Sequence, residues 1–231
     1  MLIDLKGKTA VITGASRGIG RSTALTLAAE GMKLVLIARD EDALQKVSEE
    51  AGGQTILPFD FSKPEGIPEL AQQIGEVDCL VNNAGTFLES DLADMSFEQL
   101  DRVLQVNLVS PFGLIRELLP ALRKSKGRIV NVVSTSAIQG YAQQSAYCAS
   151  KAGLLGMMRA LAIEEKPNGV RIHNVCPGGV DTDFINQTNL GKRLAGQVMI
   201  SPDDIGGMIG FLLQQPDNID ISEMVIRRFN P

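Results

Sequence analysis

Thr9-Ala-Val-Ile-Thr-Gly-Ala-Ser-Arg-Gly-Ile-Gly20 is an apolar run broken by glycines, and a stretch with apolar residues at Ala24, Leu25, Leu27 and Ala28 follows it. The first five residues suit a strand. The later stretch has helical spacing. Between them the glycines fall as Gly14-x-x-x-Gly18-x-Gly20. Glycine lets the backbone turn sharply and approach a bulky phosphate, whose charge then faces the free N–H groups of the helix start. Strand, glycine loop and helix in this order predict a dinucleotide site; a plain strand-to-helix turn is the alternative.

The alternation recurs outward from this stretch. Lys33–Ala38 reads as a second strand ending at Arg39-Asp40. In dinucleotide folds this strand end meets the adenosine ribose. Arg39 there and Arg17 in the glycine loop favour the 2′-phosphate of NADP(H), because guanidinium donors match phosphate oxygens. Asp40 keeps NAD(H) possible, or simply caps a helix starting at Glu41. Arg39 could also be an ordinary solvated charge. Thr55–Pro58 is a short strand followed by Phe59-Asp60-Phe61. Asp60 could accept from the adenine amino group or cap a helix beginning near Pro64. Further strands are expected over 77–81, 127–133, 170–176 and 223–228. They run into Asn82-Asn-Ala-Gly85, Ser134-Thr-Ser136 and Pro177-Gly-Gly-Val-Asp-Thr182. Six strand-then-helix alternations predict one α/β domain over 1–231, a doubly wound parallel sheet between two helix layers. Ligands of such sheets bind beyond the C-terminal strand ends, where nearly all these polar residues fall.

Two helical stretches stand out. Residues 97–124 carry more apolar positions than one core-facing stripe needs, which suggests packing against a partner subunit. Pro111 and Pro120 should bend this helix. Asn107 lies in its apolar face and needs either a partner or a function. The second stretch, about 147–165, begins with Tyr147 and Lys151, one turn apart on one face. On this stretch alone a routine helix pairing is the better explanation. A nearby cation would favour the phenolate, and lowering a tyrosine from about 10 to about 7 takes roughly 4 kcal/mol. Residues 183–198 are weakly patterned and polar, which suits a mobile lid. His173, the single histidine, reads as structural on an alternating strand.

Composition narrows the classes. With 231 residues, 44% hydrophobic and 21% charged, the chain is globular. A net charge of −5 argues against nucleic-acid binding. No apolar run is long enough for a membrane span, and the first residues have no signal-peptide core. Cys79, Cys148 and Cys176 read as core thiols of a cytoplasmic protein, and no metal-ligand cluster is present.

Together these residues resemble the short-chain dehydrogenase/reductase family across nearly the whole chain. The resemblance rests on Thr13-Gly14-x-x-x-Gly18-x-Gly20, Asn82-Asn83-Ala84-Gly85, Asn107, Ser134, Tyr147-x-x-x-Lys151 and Pro177-Gly178-x-x-x-Thr182. It implies a Rossmann-type fold. Gly14, Ser16, Arg17, Gly18, Ile19 and Gly20 would pass under the cofactor pyrophosphate. Asn83, Ala84 and Gly85 would line the adenosine ribose, with Asp60 near the adenine. Pro177, Gly178, Val180 and Thr182 would meet the nicotinamide end. Lys151 would bond the nicotinamide ribose and lower the Tyr147 pKa. Tyr147 would be the general acid in reduction and the base in oxidation. Ser134, selected over Ser136 by its distance to the tyrosine, would polarise the substrate carbonyl. Asn107 would hold a water relaying protons from Lys151. The tail, Ile221 to Pro231, lacks the glycine-rich end of many relatives, so a homodimer through the 97–124 and 147–165 helices is as expected as a homotetramer.

The resulting expectation is an NADP(H)-dependent oxidoreductase acting on a small carbonyl compound or secondary alcohol. A narrower form is a 3-oxoacyl-thioester reductase of fatty-acid type. That form would want basic residues at the site entrance, with Arg123, Lys124, Lys126, Lys192 and Arg193 available. A dinucleotide-sensing protein with vestigial activity is the alternative from another class.

Overall fold

Seven short runs, most of them apolar, become the strands of one parallel sheet in the computed structural model, which describes residues 2–186 and 188–229. They are β1 (Thr9–Thr13), β2 (Lys33–Ala38), β3 (Thr55–Pro58), β4 (Cys79–Asn82), β5 (Arg128–Val132), β6 (Arg171–Pro177) and β7 (Glu223–Ile226). The order across the sheet is β3-β2-β1-β4-β5-β6-β7. The chain therefore reverses its direction of travel between β1 and β4, which opens a crevice at their C-terminal ends.

The helices are α1 (Gly18–Ala29), α2 (Glu41–Glu50), α3 (Ile67–Ile74), α4 (Phe97–Leu104), α5 (Ser110–Ser125), α6 (Ser145–Glu165), α7 (Asp183–Asn186), α8 (Asn189–Leu194) and α9 (Pro202–Leu213). Strand residues alternate between two buried layers. Ala10 and Ile12 enter the layer with Leu27 and Ile209, whereas Val11 enters the opposite one with Leu118 and Leu154. In the first layer α1 and α9 approach closely: a Cβ on Gly206 would lie 2.5 Å from Ser22 Oγ and 3.0 Å from its backbone carbon.

One polar ladder crosses this apolar sheet. Asn82, Asn131 and Asn174 are buried in register on β4, β5 and β6. Asn82 Nδ2 donates to Asn131 Oδ1 at 3.1 Å, and Asn131 Nδ2 donates to Asn174 Oδ1 at 3.1 Å. Asn174 Nδ2 continues to the Ser222 carbonyl at 3.3 Å. His173 is buried nearby, with Nδ1 2.7 Å from the Ile221 carbonyl.

Three expectations change. The single helix over 97–124 is two helices joined by a π-helical turn, Gln105–Val109, in which Ser110 N–H donates to the Gln105 carbonyl. Pro111 has no N–H for the carbonyl four residues back, so the regular ladder cannot run through unbroken. The 183–198 stretch contains two short helices, α7 and α8, instead of loop alone. Its residue Gln187 lies outside the described residues, as do Asn230 and Pro231 of the tail. The third concerns Cys148, which is partly exposed, unlike the buried Cys79 and Cys176.

Candidate active site

The C-terminal strand ends surround one cleft of about 1100 Å³. Its floor is the glycine loop. Gly14 has φ +65°, and a Cβ there would come within 2.9 Å of both Ala84 Cα and Asn83 Nδ2. A Cβ on Gly20 would lie 2.1 Å from the Gly14 carbonyl oxygen. The α1 start carries no acidic residue and no side-chain cap, which leaves its first N–H groups facing the cleft without a carboxylate in competition.

Thr13 and Asn83 lock this loop to the β4 end. Thr13 Oγ1 accepts from the backbone N–H of Asn83 at 3.0 Å and of Ala84 at 2.9 Å. Asn83 Nδ2 donates back to the carbonyls of Thr13 and Gly14 at 3.0 and 3.1 Å. The Asn83 side chain thus shapes the loop while its residue lines the cleft.

At the β2 end of the cleft, Arg17 and Arg39 line the wall, and no salt bridge engages either among the described residues. Asp40 caps α2, its Oδ1 accepting from Ala43 N–H at 3.0 Å. Asp60 also lines the cleft, but it does not cap the following helix. Its Oδ1 accepts from Ser62 N–H at 3.0 Å, and Lys63 holds the position before the Pro64–Gly66 turn. Burial pushes the Asp60 carboxyl up; the Ser62 bonds and the Arg39 and Lys63 charges outweigh it and hold the pKa below the usual value.

At the other end, Ser134, Tyr147 and Lys151 converge. Ser134 follows β5, just past its last residue Val132, and Tyr147 and Lys151 lie in the first two turns of α6. Ser134 Oγ accepts from Ser136 N–H at 3.0 Å, and the Ser134 side chain lies near enough to the Tyr147 phenol to pull its pKa down. Ser136 is turned away from it, its Oγ 3.4 Å from Gln144 Oε1. Lys151 Nζ donates to the Val132 carbonyl at 2.9 Å and lies 5.9 Å from the Tyr147 ring centroid. Phe87 packs edge-on against Tyr147 at 5.0 Å, and Phe184 of α7 approaches both rings.

The sequence profile described as short chain dehydrogenase matches residues 8–193. The chain belongs to the short-chain dehydrogenase/reductase family. It is 35% identical to the 3-oxoacyl-[acyl-carrier-protein] reductase of Escherichia coli K12 over 211 residues, 89% of this chain and 86% of the relative. It is 38% identical to the D-beta-hydroxybutyrate dehydrogenase of Rhizobium meliloti over 191 residues, 78% of this chain and 74% of the relative. The crystal structure of a metagenomic short-chain oxidoreductase in complex with NADP superposes with a TM-score of 0.85 at 35% identity, covering 99% of this chain and all of that one.

Short-chain dehydrogenases use a nicotinamide cofactor, and the glycine cradle and open α1 start of this member fit one. Gly14, Ser16, Arg17, Gly18, Ile19, Arg39, Asp60, Asn83, Ala84, Gly85, Ser134, Tyr147, Lys151, Pro177, Gly178, Val180 and Thr182 all line the cleft. Gly20 and Asn107 do not. Gly20 is needed beneath the loop instead. Asn107 is fully buried: Oδ1 accepts from Thr86 N–H at 2.8 Å, and Nδ2 donates to the Thr86 carbonyl at 2.9 Å and to Ser150 Oγ at 3.0 Å. Its side chain braces the β4 loop against α6.

The expected downward shift of Tyr147 is reversed in this short-chain dehydrogenase chain. Burial raises the phenol to about 12, against a smaller downward pull from Ser134. Burial lowers Lys151 to about 8. Desolvation acts on both groups, and the ammonium is tied to a carbonyl and not to the phenol oxygen. Sequence reasoning missed Arg102 and Arg228, which also line the cleft. Spacing carries no sign of either, because each reaches the wall only through the packing of α4 and the tail. Among the described residues no group of three or more His, Cys, Asp or Glu could hold a metal, and no helix is long and apolar enough to cross a membrane.

Proposed function

We propose that this enzyme interconverts a carbonyl compound and its secondary alcohol with NADP(H). The observation that carries the proposal is the convergence of Ser134, Tyr147 and Lys151 on the wall of one cleft, Lys151 one helical turn past Tyr147. When bound, the nicotinamide supplies or accepts the hydride. Ser134 orients the substrate oxygen, and Tyr147 holds a proton beside it. A buried phenol protonated at neutral pH suits donation to a carbonyl. In the alcohol direction Tyr147 must lose its proton, which added positive charge beside Lys151 would assist. Tyr147→Phe should lower kcat/KM by about 100-fold or more. Loss of less than about tenfold, under ~1.4 kcal/mol, would remove the proton-transfer role.

NADP(H) preference rests on Arg17 and Arg39 at the adenosine end, with Asp40 committed to its helix. The expected result is a higher kcat/KM with NADPH than with NADH, and Arg39→Ala should raise the KM for NADPH by about tenfold while hardly changing that for NADH. An equal or better value with NADH in the unaltered enzyme overturns this choice.

A 3-oxoacyl thioester is the second substrate class, favoured by the Escherichia coli relative. Lys192 and Arg193 belong to α8, whose Leu190 and Leu194 line the cleft. Arg123 and Lys124 close α5 and pair with Glu165 and Glu76 at the opposite end of the sheet, away from any entrance. A sensor role would instead show NADPH binding by calorimetry with no turnover across ketones, aldehydes and thioesters. We place the protein in a reducing cytoplasm on its free thiols, and as a homo-oligomer through α4, α5 and α6, where Phe97, Phe112 and Ile163 are exposed.

A further inference from the structure

Arg228 is a cation that neither the phosphate cradle nor the proton-transfer group uses. It follows β7 beside the end of β6, where Gly178 N–H donates to the Ile226 carbonyl at 2.8 Å. Its side chain turns into the cleft. Nη1 donates to Gln197 Oε1 at 2.7 Å and lies 3.4 Å from Met199 Sδ. Nε lies 3.5 Å from where a Cβ on Gly179 would stand, which places the guanidinium beside the Gly178-Gly179 turn.

Every one of these partners is neutral. Arg21, Arg123, Arg159, Arg171 and Arg193 each meet a carboxylate, whereas Arg228 meets none among the described residues. Two acidic residues follow Gly179 in sequence. Asp181 accepts from Asn186 Nδ2 at 2.7 Å, and Asp183 is solvent-exposed at the cleft edge. Apolar Ile185, Leu190 and Leu194 line the same cleft. A half-buried guanidinium with spare N–H donors in a partly apolar cleft is suited to a planar anion. Arg17 and Arg39 line the adenosine end, so Arg228 is left to the substrate.

We propose that Arg228 is a specificity-determining residue that selects substrates carrying an anionic group, a carboxylate in particular, away from the reacting carbonyl. This rests on the oxidoreductase reading above. The test pairs one ketone with and without charge: acetoacetate and its ethyl ester, each assayed with NADPH and NADH. In the unaltered enzyme acetoacetate should be preferred. Arg228→Met should raise its KM by about tenfold to a hundredfold and leave the ester within about twofold, with Arg228→Lys intermediate. Equal losses for both ketones, or a loss confined to cofactor affinity, overturn the proposal. If neither ketone turns over, the oxidoreductase reading is decided by the wider panel of ketones, aldehydes and thioesters, and a binding measurement decides Arg228 separately. Acetoacetate should raise the melting temperature of the unaltered protein with NADP⁺ present, and not that of Arg228→Met. No shift in the unaltered protein, or the same shift in both, overturns the anion site whether or not turnover is seen.

Discussion

Lys151 Nζ is 2.9 Å from the Val132 carbonyl and almost without solvent, and burial lowers its pKa to about 8. In the unfolded chain a lysine titrates near 10.4. Between those values the unfolded state binds the extra proton, so this group's contribution to stability rises with pH across the window and falls away as pH drops through about 8. Full deprotonation is worth roughly 3 kcal/mol at most. Lys151→Met lacks this dependence. Its stability advantage over the unaltered protein in urea unfolding should therefore be largest near pH 7 and shrink toward pH 10. A constant difference would show that the ammonium is better solvated than its surroundings imply. Tyr147 works the other way, because its raised pKa favours the folded state below about pH 10 and the benefit is lost as pH climbs toward about 12. The four-residue spacing placed these two residues on one face of a helix; it did not carry their pKa directions. Desolvation depends on Phe87, Phe184 and the end of β5, which reach them only in the folded molecule.

At the scale of elements, the contact between α1 and α9 depends on a missing side chain. Gly206→Ala would bring a Cβ within 3.1 Å of the Ser22 carbonyl oxygen, and backbone cannot swing aside as a side-chain hydroxyl can. The expected loss is about 1–3 kcal/mol, read as a lower urea midpoint at unchanged slope. An unchanged midpoint would mean that the two helices separate without strain. The core strands were readable as apolar runs, because parallel strands covered on both faces need not alternate. Their ends shifted by one or two residues, as at Val77 and Asp78, which precede β4. The π-helical turn was hidden, since residues 97–124 are apolar on several faces and an extra residue in one turn leaves no break in such a pattern. The helices α7 and α8 were hidden for the opposite reason, being short and polar. They are held from outside: Glu89 of the β4 loop accepts from Leu190 N–H at 2.9 Å and pairs with Arg193.

At the scale of the whole molecule, Phe97 is 82% exposed, Phe112 52% and Ile163 76%, on helices that flank the site from one layer. In the proposed homo-oligomer these side chains would be covered by a partner. Phe112→Asp should shift the species seen by light scattering toward the monomer at micromolar concentration; an unchanged mass would remove α5 from the interface. The asparagine ladder across β4, β5 and β6 has a different reach. Parallel pairings join segments far apart in the chain and form late, so a growing sheet can add the right strand in the wrong alignment. A slip of one residue turns every side chain to the opposite face. Each ladder amide would then stand in the dry interior without its neighbour, at about 1–3 kcal/mol apiece. Valines and isoleucines alone would tolerate such a slip more readily. Asn82, Asn131 and Asn174 therefore act as a proofreading mark: misaligned arrangements come apart, and the strand ends that must meet around one cleft arrive at the same height.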